Sequence, residues 1–165
     1  MIFAYLDASA AVKRYAPESG SAILHHLFGR VPLARLVMLS VGMAEVVSIL
    51  VRKHNGKQIS TATFQQSLSR YRAEINRQSP VRVIDIDGAL AIRAYGYIEQ
   101  YSINSTDAIL LVSALDLAAP LRAAGDDLLL VASDQRLLKA ARAEGLSVFD
   151  PETQSAADLD TLLGP

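Results

Sequence analysis

Short apolar runs alternate along the chain with amphipathic stretches, and their lengths separate strands from helices. Residues 2–6 form a run of strand formers, and residues 9–16 read as a helix that Pro17 ends, since proline lacks an N–H and clashes one turn back. Residues 19–28 continue helically before Gly29. A second apolar strand covers 35–40, and a helix follows over 41–53 until Asn55-Gly56 breaks it. Residues 60–77 place Phe64, Leu68, Tyr71 and Ile75 at three- and four-residue steps, which gives a polar helix one apolar stripe. With the preceding helix it is expected to form an arm. Residues 81–86 are a third strand, and Asp87 caps a helix running to Tyr101 with Ala89, Ile92 and Ile98 facing inward. Asn104 or Ser105 caps the next helix, which holds Asp107. Residues 128–132 are a near-continuous apolar strand, 137–144 a helix closed by Gly145, and 147–149 a short last strand.

Strands apolar throughout, separated by amphipathic helices, define an α/β fold with a central parallel sheet flanked by helices on both faces. A chain of 165 residues suits one such domain, expected over residues 1–150, and the acidic, weakly patterned tail 151–165 is expected to pack loosely. The hydrophobic share of 51% and charged share of 20% argue for a filled core and against disorder. With no cysteine, disulfides, thiolate metal sites and thiol catalysis are excluded, so any metal must be held by oxygen or imidazole. No basic leader precedes the first strand, and the most apolar stretch, 33–51, carries Arg35, Gly42 and Glu45, so neither secretion nor a membrane span is expected and the location is expected to be cytoplasmic. A net charge of −1 does not by itself advertise a nucleic-acid partner. A concentration of acids at one site would, however, mask local basic patches in a whole-chain sum.

Four acids stand where a parallel sheet builds sites, beyond the carboxyl ends of strands. Asp7 and Asp134 each follow an apolar run. Glu45 lies inside a helix among Val41, Met43, Val46, Val47 and Leu50, where an unpaired carboxylate is costly, and Asp107 leads into the apolar segment Ala108-Ile109-Leu110-Leu111-Val112. Carboxylates gathered in one place raise each other's pKa unless a cation neutralises them, and magnesium or manganese suits an all-oxygen donor set. Such a centre polarises a phosphodiester and activates water. Each acid also has a structural account. Asp7 caps the first helix, Asp107 and Asp134 suit helix dipoles, and Glu45 pairs with Arg35 or Arg52. The structural account is the stronger one for Asp107 and Asp134 taken singly, and the four together shift the balance.

At these residues the sequence resembles the PIN-domain family, and within it the VapC-type toxins of toxin–antitoxin pairs. Tyr5-Leu6-Asp7-Ala8-Ser9-Ala10 is similar to the family's first motif, Met43-Ala44-Glu45-Val46 to the segment with the catalytic Glu, Ser105-Thr106-Asp107-Ala108-Ile109 to the third motif, and Leu130 through Leu137 to the fourth. Order and approximate spacing agree from residue 2 to about 150. The resemblance implies a PIN-like domain acting as a metal-dependent endoribonuclease on RNA phosphodiesters, the toxin of a type II pair, with Mg2+ or Mn2+ as cofactor. It also implies a homodimer and an antitoxin partner. On this match Asp7, Glu45 and Asp107 are the principal metal ligands, Asp134 assists, and Ser9 fixes a ligand by hydrogen bond. One departure is visible: many relatives carry Ser or Thr two residues before the fourth acid, where this chain has Ala132, with the hydroxyl on Ser133 instead. Lys13, Arg14 and Arg136 are candidates for contacts with RNA phosphates.

Competing readings are fewer. Asp85-Ile86-Asp87 has the Asp-x-Asp spacing of haloacid-dehalogenase phosphatases, but Gly88-Ala89 follows without the hydroxyl expected next and Asp87 is a natural helix cap. A receiver domain would need paired acids after the first strand and a late Lys. His25 and His26, adjacent on a helix, point about 100° apart and cannot chelate together. The non-enzymatic alternative is a catalytically silent PIN-like scaffold that binds RNA or a protein.

Overall fold

The computed structural model describes residues 1–76 and 78–164. Five strands, β1 (Ile2–Leu6), β2 (Leu36–Leu39), β3 (Arg82–Ile84), β4 (Asp127–Val131) and β5 (Ser147–Phe149), form one sheet in the order β3-β2-β1-β4-β5, and every pairing is parallel. Parallel neighbours cannot be joined by a tight turn, so helices make each crossover. These are α1 (Ala8–Ala11) and α2 (Ser21–Arg30), then α3 (Ser40–Asn55) and α4 (Thr61–Glu74), then α5 (Gly88–Arg93), α6 (Tyr95–Tyr101) and α7 (Ser105–Ala123), and finally α8 (Gln135–Ala143); α9 (Ala156–Leu163) follows the last strand.

Because successive side chains leave a strand on opposite faces, the apolar runs feed two cores. Ala4, Leu6, Met38, Leu129, Val131 and Phe149 pack on one face against α2, α3 and α4, through residues such as Leu24, Leu27, Val46, Leu50 and Tyr71. Tyr5, Val37, Leu39, Leu128 and Leu130 pack on the other against α7 and α8, through Leu110, Leu111, Leu137 and Leu138. Tyr5 is the one large polar-tipped side chain in the centre of the sheet. Its hydroxyl donates to Ser113 Oγ at 2.7 Å, and Ser113 donates to the Leu110 carbonyl at 2.8 Å, so burial leaves neither group orphaned.

Several elements differ from the sequence pattern for identifiable reasons. The first helix stops at Ala11 and becomes a single 3-10 turn over Val12–Arg14, so helical structure ends before Pro17, as expected, but earlier than the pattern indicated. The expected helix 87–101 breaks at Ala94 into α5 and α6, and its buried positions are Leu90 and Ala94. Of the three residues expected to face inward, Ile98 packs against the core, whereas Ala89 is exposed and Ile92 is 63% exposed, their places inside being taken by Leu90 and Ala94. Asp87 does cap, accepting from Leu90 N at 2.7 Å. β3 covers only Arg82–Ile84 and leaves Val83 40% exposed, as befits a short edge strand. Residues 60–77 become α4 from Thr61 to Glu74, with Arg77 outside the described residues.

The tail departs most. Instead of packing loosely it forms α9, opened by a capping box between Ser155 and Asp158 and anchored by the fully buried Leu159. Asp160 accepts from Arg30 Nη1 at 2.6 Å and lies 2.9 Å from His26 Nε2, tying α9 to α2. Gly20, at φ 84°, makes the close approach possible: a Cβ there would lie 2.7 Å from the Pro151 carbonyl oxygen. Among the described residues no helix is long and apolar enough to cross a membrane.

Candidate active site

Strand order reverses at β1: the chain moves outward through β2 and β3, then returns to place β4 on the other side of β1. At such a switch point the crossovers leave on opposite faces and open a crevice at the carboxyl ends of the two strands. Asp7 is the residue after β1, its N–H donating to the Val131 carbonyl at 3.0 Å, and Asp134 lies three residues beyond the end of β4. Glu45 comes from the second turn of α3 and Asp107 from the first turn of α7. All four line one open cleft of about 230 Å³, together with Ala8, Ser9, Ile49 and Arg52.

Local structure accounts for how each acid is held. Asp7 caps α1: its Oδ2 accepts from Ser9 N at 3.0 Å and from the Ser9 hydroxyl, and Ser9 Oγ accepts in turn from Ser133 N at 3.1 Å. A single serine thus links the loops after β1 and β4. Asp107 and Asn104 clasp each other, Asn104 Nδ2 donating to Asp107 Oδ2 at 2.8 Å and Asp107 N to Asn104 Oδ1 at 2.9 Å. Asp134 caps α8 with Oδ1, accepting from Arg136 N and Leu137 N at 2.8 and 3.1 Å, while its Oδ2 lies 3.8 Å from Arg136 Nη2. For Asp7 and Asp134 the capping role and membership of the cleft therefore coexist, since one carboxylate oxygen serves the helix in each.

The electrostatics of the cleft are those of crowded acids. Burial raises the Asp7 carboxyl pKa, against the hydrogen bonds from Ser9 and Ala8, and Asp134 adds to the rise. Burial likewise raises Glu45, with Asp7 adding and Arg52 opposing. Asp107 is pushed from 3.8 to about 7, first by burial and then by the charges of Asp7, Asp134 and Glu45, with Arg136 opposing. Neither Arg35 nor Arg52 forms an ion pair with Glu45 among the described residues. Arg35 instead reaches the Ile2 carbonyl at 3.5 Å, at the opposite end of the sheet.

The donor set fits a hard divalent cation in kind: carboxylate oxygens, no sulfur, and a surplus of negative charge at one place. As the side chains stand, no three His, Asp or Glu groups among the described residues come close enough together to enclose an ion. The fit is therefore one of chemistry and location, with Glu45, on its three-bond side chain, the acid freest to adjust.

Other candidates lie elsewhere. Lys13 is corrected as a phosphate contact: it is 4% exposed and locked between Glu18, at 3.1 Å, and Glu152. Arg14 is paired with Glu74 at 3.0 Å and lies over the Phe28 ring, outside the cleft. Arg136 is 65% exposed beside Asp134. His25 and His26 turn to different partners, the Arg14 carbonyl and Asp160, and His54 stacks on Phe64. Ile49 and Arg52 are cleft residues that the pattern did not single out as such. The available signal was their spacing of four and seven residues from Glu45 on one helix, which repeats one face.

Residues 4–143 match the PIN domain family model, and the chain belongs to that family. No curated protein sequence matches it. Similar solved structures include VapC20 of Mycobacterium tuberculosis, described as a sarcin-ricin loop cleaving toxin, at 13% identity over 92% of this chain and 99% of that one, with a TM-score of 0.60. FitAcB from Neisseria gonorrhoeae is 16% identical over 93% of this chain and 100% of that one, also at 0.60. PAE2754 from Pyrobaculum aerophilum is 17% identical over 99% and 98%, at 0.59.

Proposed function

We propose that this PIN domain is a metal-dependent endoribonuclease that hydrolyses RNA phosphodiester bonds and serves as the toxin of a toxin–antitoxin pair. The observation that carries the reading is the convergence of Asp7, Glu45, Asp107 and Asp134, from four separate elements, on one cleft at the switch point of a parallel sheet. When bound, magnesium or manganese supplies the charge that offsets these acids and a water acidic enough to attack. Asp7, Glu45 and Asp107 are the groups to hold it, with Asp134 assisting through the oxygen its helix cap does not use. Ser9 keeps Asp7 aimed by hydrogen bond, and the Asn104 clasp does the same for Asp107. The toxin role draws on the VapC20 likeness and on the family, as do an antitoxin partner and a homodimer, for which α3 and α4 offer a surface.

The test is cleavage of RNA by purified protein in manganese, magnesium or chelator, alongside Asp7→Asn and Glu45→Gln. Cleavage with either metal, abolished by chelator and reduced at least about a hundredfold in both variants, is expected. Equal activity in all samples would remove the metal mechanism. Metal binding and RNA binding without cleavage would favour the silent scaffold.

A further inference from the structure

We infer that Arg52 is a substrate-positioning residue of the cleft, holding an RNA phosphate next to the bond that is cut; the inference rests on the nuclease reading above. A phosphodiester strand entering a cleft with four carboxylates meets charge of its own sign. A divalent ion offsets this at the centre, but the phosphates on either side need fixed cations at the rim. Two arginines are placed for it. Arg52 lines the cleft two helical turns from Glu45, with Ile49 between them on the same face of α3. Its side chain is exposed and enters no ion pair among the described residues. Arg136 stands beside Asp134 at the start of α8.

The two helices pack on opposite faces of the sheet, α3 through Val46 and Leu50 and α8 through Leu137 and Leu138. Their arginines therefore flank the acids from two sides, one on each wall. Lys13 and Arg14 are consumed in ion pairs with Glu18, Glu152 and Glu74, and Lys53 in one with Glu18, so that among the described residues Arg52 is the cation lining the α3 wall of the cleft. A guanidinium binds phosphate through two parallel N–H donors, which fixes the strand's register as well as its distance. Arg52 also stands in the last turn of α3, where any cation suits the helix dipole. That role needs only charge, so Arg52→Lys separates the two.

The experiment compares Arg52→Gln, Arg52→Lys and, as a control of equal charge change at the opposite end of the sheet, Arg35→Gln. Cleavage of a fluorogenic single-stranded oligoribonucleotide with manganese gives kcat and KM. Anisotropy of a labelled oligoribonucleotide in an Asp7→Asn background gives binding without turnover. Arg52→Gln is expected to raise KM and the dissociation constant about tenfold, to leave kcat within about threefold, and to flatten the dependence of log affinity on log salt by about 0.7, the share of one phosphate on a single strand. Arg52→Lys is expected to restore the salt slope but only part of the affinity, and Arg35→Gln to match the parent. Unchanged KM and salt slope in Arg52→Gln would overturn the assignment, as would a fall in kcat alone, which would make Arg52 a partner of Glu45. A parent protein that neither binds nor cleaves RNA would remove the nuclease reading itself, and the assignment with it.

Discussion

Asp107 carries the clearest single-residue consequence. Its carboxyl is lifted from 3.8 to about 7 in the folded protein, so between those values folding takes up a proton and stability falls as pH rises. Above about pH 7 the charged group is held against burial and three neighbouring acids. Asp107→Asn keeps the oxygen that Asn104 donates to and removes the charge. In chelator at pH 8 it is expected to be more stable than the parent by about 2 kcal/mol once solvent screening is discounted, or on the order of 5 °C in Tm for a chain of this size, with the gap narrowing from about pH 7 and closed near pH 4. Thermal melts across that range check it. Ser9→Ala is expected to weaken manganese binding about tenfold in calorimetry, because Asp7 loses a charge-assisted hydrogen bond and Ser133 N loses its acceptor. The acids themselves were legible in the sequence because Asp7 and Asp134 follow apolar runs, Asp107 opens one and Glu45 sits within one. Arg52 was not, since a cation late in a helix is ordinary until the fold shows which way that face turns.

Among elements, the parallel strands were the most legible, because strands buried on both faces read as unbroken apolar runs. Helices on the rim were less so. α5 and α6 are short, and their apolar residues do not all face inward: Ile92 and Tyr95 stay 63% and 60% exposed, which blurs the period. α9 was missed although Ser155-x-x-Asp158 is a readable capping box, because its hold on the body comes from a few long-range contacts, the buried Leu159 and the Asp160 bridges to α2, that the local pattern does not show. Leu159→Ala is therefore expected to cost about 2–4 kcal/mol by opening a cavity against α2, with cleavage kinetics unchanged below the melting range. Urea denaturation would measure it. A loss under about 0.5 kcal/mol would mean that the last helix is an appendage after all.

At the scale of the whole molecule, four like charges held together cost stability, which on the proposed reading a divalent cation returns. Manganese at a hundred times its dissociation constant is expected to stabilise the folded protein by about 2.7 kcal/mol, and Asp7→Asn with Glu45→Gln to abolish that gain. Calorimetric melts with and without the ion would show it, and an equal shift in the double variant would place the bound metal elsewhere. The sheet's topology also bears on synthesis. Asp7 gains its place only when β1 has paired with β4, whose partners lie from Asp127 onward, and Asp134 comes later still. A ribosome making this chain has thus already threaded out most of it before the four acids can meet in one cleft. On the nuclease reading proposed above, RNA near the ribosome is thereby spared until nearly the whole domain has emerged.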